Sequence, residues 1–486
     1  MTFDNPSAPS RRSVLLGCAA AGTAVALPSS LITAEAAEPK TFSLRAGRGK
    51  ARLAPTPNAS TNVWAYNGQV PGPEIRLRQG ERVRILVENE LNEETTVHWH
   101  GLRVPHSMDG VPHLTQKPIA AGGTFTYEFD VPDAGTYWYH PHQRSFEQVG
   151  RGLYGPLIIE ERDPIAVDRD ITWVLDDWRL GRDAQISDDF GNRHDMSHNG
   201  RVGNTVTING RILEEFRVKR GERIRLRLIN AANARIFSLD LGSLNPQVIA
   251  LDGQPVPPHS PSGGRIVLGP AMRADVVLDM MGKPGQRISV VDNFYSRLAY
   301  RLLDVVYEPD VLRAQPLETP ISLAPNTMPE PDMGSARRHE VRFNGGMMGG
   351  MMMGRDGMMG GMANMMQMMR SGKMWLINGV AATGHVMDPL VILEKNRTYV
   401  LDMQNDTAWH HPIHLHGHSF RVVSRNGNAT EHREWQDTVL MSPRERVEIA
   451  FVADNPGDWM FHCHILEHQA AGMMGVIRVK GGSTRT

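Results

Sequence analysis

Arg78-Gln79-Gly80-Glu81-Arg82-Val83-Arg84-Ile85 returns almost residue for residue as Lys219-Arg220-Gly221-Glu222-Arg223-Ile224-Arg225-Leu226. A looser third copy is Glu394-Lys395-Asn396-Arg397-Thr398-Tyr399-Val400-Leu401. Each follows an Asn-Gly pair: Asn67-Gly68, Asn209-Gly210 and Asn378-Gly379. A tight turn followed by alternating apolar and polar residues reads as a strand with one buried face. Gly, Pro and Asn punctuate the rest of the chain, and helical periodicity is confined to one Met-rich stretch. The expectation is an all-β chain of three consecutive sandwich domains made from short strands.

The second interval between Asn-Gly pairs exceeds the first by about the length of residues 347–374. That Met-rich segment therefore reads as an insertion into the third domain, preceded by a connector carrying Pro309, Pro316, Pro320, Pro325, Pro329 and Pro331. The expected boundaries are 38–162, 163–310, a linker and domain start over 311–346, the insertion over 347–374, and 375–486. Residues 1–37 stand apart. Ser10-Arg11-Arg12-Ser13-Val14-Leu15-Leu16, an Ala/Gly-rich run and Ala34-Glu35-Ala36 resemble a twin-arginine export signal, which implies a periplasmic protein. Its removal would take Cys18 and leave Cys463 alone, without an internal disulfide.

Composition narrows the function. Across 486 residues the net charge is -1, which argues against nucleic acid or an anionic membrane surface as partner. Hydrophobic residues at 41% and charged residues at 22% exclude wholesale disorder. After residue 40 no apolar run is long enough to span a bilayer. With 20 His, chance predicts about one His-x-His pair, yet five occur: 98/100, 140/142, 414/416, 416/418 and 462/464.

The pairs follow the repeats. His98 and His100 lie nine and eleven residues after Asn89, and His414 and His416 lie nine and eleven after Asn405. The same offsets from Asn230 give Leu239 and Leu241. His140 and His142 follow Gly135 by five and seven, as His462 and His464 follow Gly457; counting from Gly285 gives Val290 and Asp292. The simplest geometry is a metal cluster shared between the first and third domains, with the second as a spacer. On a strand, residues i and i+2 face one way, about 7 Å apart, which suits neighbouring ions better than chelation of one. Imidazole suits Cu, Zn, Fe and Ni. Within Phe461-His462-Cys463-His464-Ile465-Leu466-Glu467-His468, alternation turns Cys463 away from its neighbours and toward a different metal. His411 and His468 are its candidate partners and Met473 a candidate axial thioether, the arrangement of a blue copper site.

His98-Trp99-His100-Gly101, Tyr137-Trp138-Tyr139-His140-Pro141-His142, His411-Pro412-Ile413-His414-Leu415-His416-Gly417 and His462-Cys463-His464 with His468 and Met473 together resemble the four copper motifs of the multicopper oxidases, in their three-domain, laccase-like bacterial branch. The resemblance implies three cupredoxin-like Greek-key sandwiches and four copper ions. It implies a type 1 copper on His411, Cys463, His468 and Met473, and a type 2 copper on His98 and His414. It implies a type 3 pair, with His100, His140 and His464 on one ion and His142, His416 and His462 on the other. The implied activity is four one-electron oxidations at type 1 copper, passed through Cys463 and its flanking His, and reduction of O2 to water at the trinuclear cluster. Asp109 matches a proton-supplying acid near type 2 copper, or is a turn residue in Met108-Asp109-Gly110. Many relatives place an acid after the last type 1 His; here it is Gln469, which cannot donate a proton in that way. The other histidines, His194 and His198 among them, are expected to be ordinary loop or neighbouring groups.

The Met-rich run has thioethers that favour Cu(I). It could gather Cu(I), with Met353, Asp356, Met358, Met359 and Met362 as candidate ligands. It could instead be a partly helical lid or a Gly/Met loop. The resemblance favours a periplasmic cuprous oxidase, with a general laccase acting on phenols as alternative and a copper-binding buffer as a reading from another class. The enterobacterial cuprous oxidases carry Met and Asp two and four residues before the first type 1 His, where this chain has Trp409 and Thr407. A monomer is expected.

Overall fold

The three Asn-Gly pairs make one turn three times. Both residues of each have positive φ: Asn67 53° and Gly68 75°, Asn209 51° and Gly210 68°, Asn378 51° and Gly379 78°. This is the backbone that a two-residue turn between twisted strands requires. The Asn side chain then accepts from the first strand of its domain, from Arg45 N at 2.7 Å, Val174 N at 2.8 Å and Arg342 N at 2.8 Å. A computed structural model of the chain describes residues 38–55, 60–347, 372–385 and 387–481. Residues Pro39–Thr486 form one compact unit. The export-signal residues and the candidate Cu(I) ligands Met353, Asp356, Met358, Met359 and Met362 lie outside the described residues.

Three pairs of sheets follow one another along the chain. In each, the opening strand runs parallel to the strand of the repeated motif: Lys40–Ala51 beside Arg82–Asn89, Arg169–Trp178 beside Arg223–Asn230, and Arg337–Gly345 beside Thr398–Asn405. In each, a short strand of the facing sheet runs parallel to a late one: Ile75–Arg78 to Gly155–Glu160, Glu215–Arg220 to Tyr300–Val311, and Val391–Glu394 to Met474–Lys480. The threefold pattern is that of cupredoxin-like Greek-key sandwiches, and each encloses its own apolar core. The alternation that marked the strands supplies these cores, because every second residue of a strand faces the opposite sheet.

A buried Asn latches each sandwich at the same place. Asn89, Asn230 and Asn405 donate Nδ2 to the carbonyls of Ile119, Leu268 and Ser442 at 2.8, 2.9 and 2.8 Å. Their Oδ1 atoms accept from Leu91, Ala232 and Thr407 N. This confirms the register from which the His offsets were counted. One offset needs correction. Leu239 pairs with Asp292, as His98 pairs with His140 and His414 with His462. The counterpart of His140 is thus Asp292, two residues later than counting from Gly285 gives. Gly135 and Gly457 open their strands, whereas Gly285 lies in the turn two residues before Arg287–Asp292.

The Met-rich segment leaves the third sandwich and returns at one point. Gly345 pairs across the sheet with Trp375, and Gly346 N donates to Met374 O at 2.9 Å. The middle sandwich sends out its own excursion between Arg169–Trp178 and Thr205–Ile208, strands that also pair directly. The two excursions touch, with Met347 N donating to Ser197 O at 2.8 Å.

Candidate metal centre

Strand pairing brings the histidines together. On His98–His100 the two His point away from the first core, while Trp99 is buried within it. On Gly457–Cys463 the reverse face is occupied: Cys463 lies in the third core with Ile413 and Leu415. Among the described residues, His98, His100 and His414 converge, as do His100, His140 and His464, and His142, His416 and His462; a separate group is His411, Cys463 and His468. Within each group the donor atoms lie within 4.8 Å of one another, and every member is buried. The first three groups straddle the first and third sandwiches. Met473 is also fully buried, and its carbonyl accepts from Cys463 N at 3.0 Å.

The protonation pattern tests whether a cation belongs here. His416 and His462 face each other Nε2 to Nε2 at 3.1 Å. Their Nδ1 atoms donate elsewhere, to Asp109 Oδ2 at 2.9 Å and to Cys463 O at 2.9 Å. Each facing Nε2 is therefore a lone pair, because a neutral imidazole carries one proton. His411 and His468 repeat this with Nδ1 atoms 3.1 Å apart, since Nε2 of His411 donates to Thr407 Oγ1 at 2.8 Å and Nε2 of His468 to His198 O at 2.6 Å. Both Nδ1 atoms face Cys463 Sγ, at 3.4 and 3.7 Å. His98 Nε2, His100 Nδ1 and His414 Nε2, whose other nitrogens face Asp109 O, Asp437 Oδ1 and Asp437 O, are buried without a partner among the described residues. Lone pairs packed against one another out of water are costly unless a positive ion sits among them.

Protons cannot fill that role near neutral pH. Burial, then neighbouring imidazoles, pushes His100, His140, His142, His416, His462 and His464 well below the ordinary range. Burial pushes the Cys463 thiol up, so its thiolate needs a bound cation. A buried set of imidazoles, one thiolate and a Met in sequence reach fits copper.

Two carboxylates brace the cluster. Asp109 is fully buried; its carbonyl accepts from His98 Nδ1 at 2.8 Å, and its Oδ2 accepts from His416 Nδ1. It thus touches one proposed type 2 ligand and one proposed type 3 ligand. Asp437, which sequence reasoning missed, does the same from the other side. Its Oδ1 lies 3.1 Å from His100 Nε2, and its carbonyl accepts from His414 Nδ1 at 2.8 Å. Arg273 of the middle sandwich grips Asp437 bidentately at 2.8 and 2.6 Å. Arg273 also donates to Asp252 O at 3.0 Å and Thr136 O at 3.2 Å, so all three sandwiches meet on one guanidinium. Against the burial that would raise it, Arg273 holds the Asp437 carboxyl well below the usual carboxylate range. Burial and the Asp437 charge push its neighbour Asp252 up to about 7. The middle domain is therefore more than a spacer. The only signal that could have found Asp437 is its place just before Thr438, on the strand beside His414.

Gln469 Oε1 accepts from Ser145 Oγ at 3.2 Å, and its Nε2 lies 3.4 Å from His142 Nε2. The amide occupies the place of an acid and has no acidic proton to supply. Thr407 is committed to His411 and to Asn405 Oδ1. It is no substitute for the carboxylate that enterobacterial-type cuprous oxidases carry at this position.

Comparison with known proteins agrees with this geometry. Residues 49–164, 169–300 and 361–483 each match a multicopper oxidase domain family. The chain is 31% identical to Multicopper oxidase MmcO of Mycobacterium tuberculosis, over 96% of this chain and 95% of that protein. It is 26% identical to Copper resistance protein A of Escherichia coli, over 85% and 89%. The crystal structure of a multi-copper oxidase from Pseudomonas Thermotolerans superposes with a TM-score of 0.79 at 32% identity, covering 91% of this chain and 99% of that one. The chain belongs to the multicopper oxidase family, oxidoreductases that use four copper ions to couple oxidation of a reductant to O2.

Proposed function

We propose that this oxidase acts in the periplasm on Cu(I), as a copper-tolerance enzyme. His411, Cys463, His468 and Met473 hold its type 1 copper; His98 and His414 hold type 2 copper. His100, His140 and His464 hold one type 3 ion, and His142, His416 and His462 the other. When bound, these coppers supply one-electron oxidation of the substrate and four-electron reduction of O2 to water. The protein's own groups fix the rest. Cys463 O, accepting from His462 Nδ1, links the thiolate residue to the cluster by a hydrogen bond as well as by the chain. Asp109, beside His98 and His416, is placed to hold a proton for the oxygen end, where Gln469 cannot.

The observation that carries the substrate assignment is the closure of His468. Its ring is fully buried, with Trp375 packed on it at 4.1 Å and His198 O capping Nε2. A bulky phenol has no open imidazole edge to lie against, whereas a small ion needs only ligands at the surface. The Met-rich composition of 347–374 and the likeness to a protein named for copper resistance support the same reading. The twin-arginine-like start of the chain supports export.

Oxygen uptake by copper-loaded protein, with Cu(I) against a phenol, tests this, in full-length chain and with residues 348–371 removed. Turnover of Cu(I) should dominate in the full chain and fall on deletion, while phenol turnover rises. Preference for phenol in the full chain would favour a general laccase, and turnover of neither would favour a copper buffer.

A further inference from the structure

Directly outside the capped edge of His468, the surface carries two imidazoles that the copper ligand set leaves unused. The excursion of the middle sandwich contains the helix Arg193–Ser197, started by Asn192, whose side chain accepts from Asp195 N at 3.0 Å. His194 and His198, one helical turn apart, stack with ring centroids 4.3 Å apart and planes 7° from parallel. The His194 side chain is 71% exposed, so its ring is free to turn out of the stack, as it must for both imidazoles to aim a nitrogen at one ion. The Ser197 hydroxyl donates to Arg193 O at 2.7 Å, so His198 Nδ1, 3.0 Å from that hydroxyl and 3.1 Å from His194 O, is the donor to both, and Nε2 is a lone pair with no partner among the described residues. The backbone carbonyl of the same His198 accepts from His468 Nε2. A ligand on the His198 ring is therefore one residue of covalent chain and one short hydrogen bond from a proposed type 1 ligand.

We propose that His194 and His198 hold the substrate copper while it is oxidised, and that its electron leaves through the His198 carbonyl to His468. This rests on the cuprous oxidase reading. Cu(I) on the pair gives up one electron and becomes Cu(II); the resident type 1 copper takes the electron, and O2 is the final acceptor. The ligand type fits this step. Imidazole suits Cu(II), whereas thioether selects Cu(I). A site that binds the product ion more tightly than the substrate ion makes that ion a stronger reductant. The exposed His194 and half-buried His198 also let the Cu(II) product escape to water. The pair occupies the role that Met and Asp before the first type 1 His play in enterobacterial-type cuprous oxidases, positions held here by Trp409 and by Thr407, already bonded to His411.

The design of the test follows from the contact being main-chain. In copper-loaded full-length protein, His194→Ala with His198→Ala removes both rings and keeps the carbonyl on His468. The KM for Cu(I) should rise about tenfold or more, with the blue absorption, the resident copper content and phenol turnover unchanged. Cu(II) added to the loaded protein should give an extra electron paramagnetic resonance signal that the double variant lacks. His259 and His432 stack at 4.0 Å without touching any proposed copper ligand, so His259→Ala with His432→Ala is the control and should leave the KM for Cu(I) unchanged. An unchanged KM for Cu(I), or an equal rise in the control, overturns the proposal. If wild-type protein fails to oxidise Cu(I), the cuprous oxidase reading falls, and with it the substrate role of the pair. Loss of the added-Cu(II) signal in the double variant would still support a metal site at His194/His198, and its retention would overturn that site independently.

Discussion

The middle sandwich and its two neighbours share a turn, a latch and a strand order, yet only the neighbours carry metal ligands. Where the outer domains pair His98 with His140 and His414 with His462, the middle one pairs Leu239 with Asp292. Asp292 spends its carboxylate on its own backbone surroundings, accepting from Ser238 N at 2.9 Å. The contrast separates two kinds of residue. Asn-Gly turns and buried Asn latches hold the fold and are present three times. The paired positions differ: in the middle domain Leu239 joins its own apolar core, whereas the outer domains carry imidazoles there. The middle domain contributes instead through Arg273, which reaches the cluster by way of Asp437.

The strongest way to erase the contrast is to make the first domain like the second. His98→Leu with His100→Leu should abolish oxygen uptake and lower copper content, while the blue absorption from Cys463 persists. Loss of the blue colour at full oxygen uptake would mean that the two metal groups are misassigned.

Next in size is the link by which the middle domain acts. Asp437→Asn removes one of the two buried carboxylates that face Arg273 and leaves Asp252 at 3.4 Å, a loss of charged hydrogen bonds that costs about 1.5–3 kcal/mol, to be read from denaturant unfolding. The same variant should distort the type 2 signal in electron paramagnetic resonance, because Asp437 contacts His100 and His414. A protein of native stability and native spectrum would show the link to be idle.

Asp109→Asn probes the opposite brace. Reoxidation of the reduced enzyme by O2 should slow by about 10–100-fold, with reduction of type 1 copper as fast as in wild type. Stopped-flow absorption follows both halves, and equal slowing of the two would point to general misfolding.

Asn230→Ala should have the smallest effect and should sharpen the comparison most. It removes the latch of the copper-free domain, at about 1–3 kcal/mol of stability, with spectra and oxygen uptake intact at moderate temperature. A spectral change would show that the middle core is coupled to the cluster more widely than through Arg273.

Much of this was legible before any coordinates. The copy Arg78–Ile85 against Lys219–Leu226 carries the strand period, and the His offsets from Asn89 and Asn405 carry the ligand sets that later converge in space. The misplacement of Asp292 arose because Gly285 sits two residues ahead of its strand, whereas Gly135 and Gly457 are the first residues of theirs. Asp437 and Arg273 were invisible for a different reason: a lone Asp or Arg has no periodic signal, and the meaning of each lies in a partner 164 residues away.

The same motif marks the division. Arg82 and Arg84 share Glu128 near water, whereas the matching Arg223 and Arg225 are buried, as is Arg227 where the first copy has Leu86; Arg225 is clasped by Glu161 and Asp275, and Arg227 by Asp170 and Asp275. Sequence alone determined the strands, their faces and the residue types able to bind copper, because these follow from local period and side-chain chemistry. Tertiary structure alone decided which polar face meets solvent and which meets another domain, and which nitrogen of each imidazole is left to bind. Those choices depend on which group from a distant part of the chain takes up the hydrogen bond, and no local pattern encodes it.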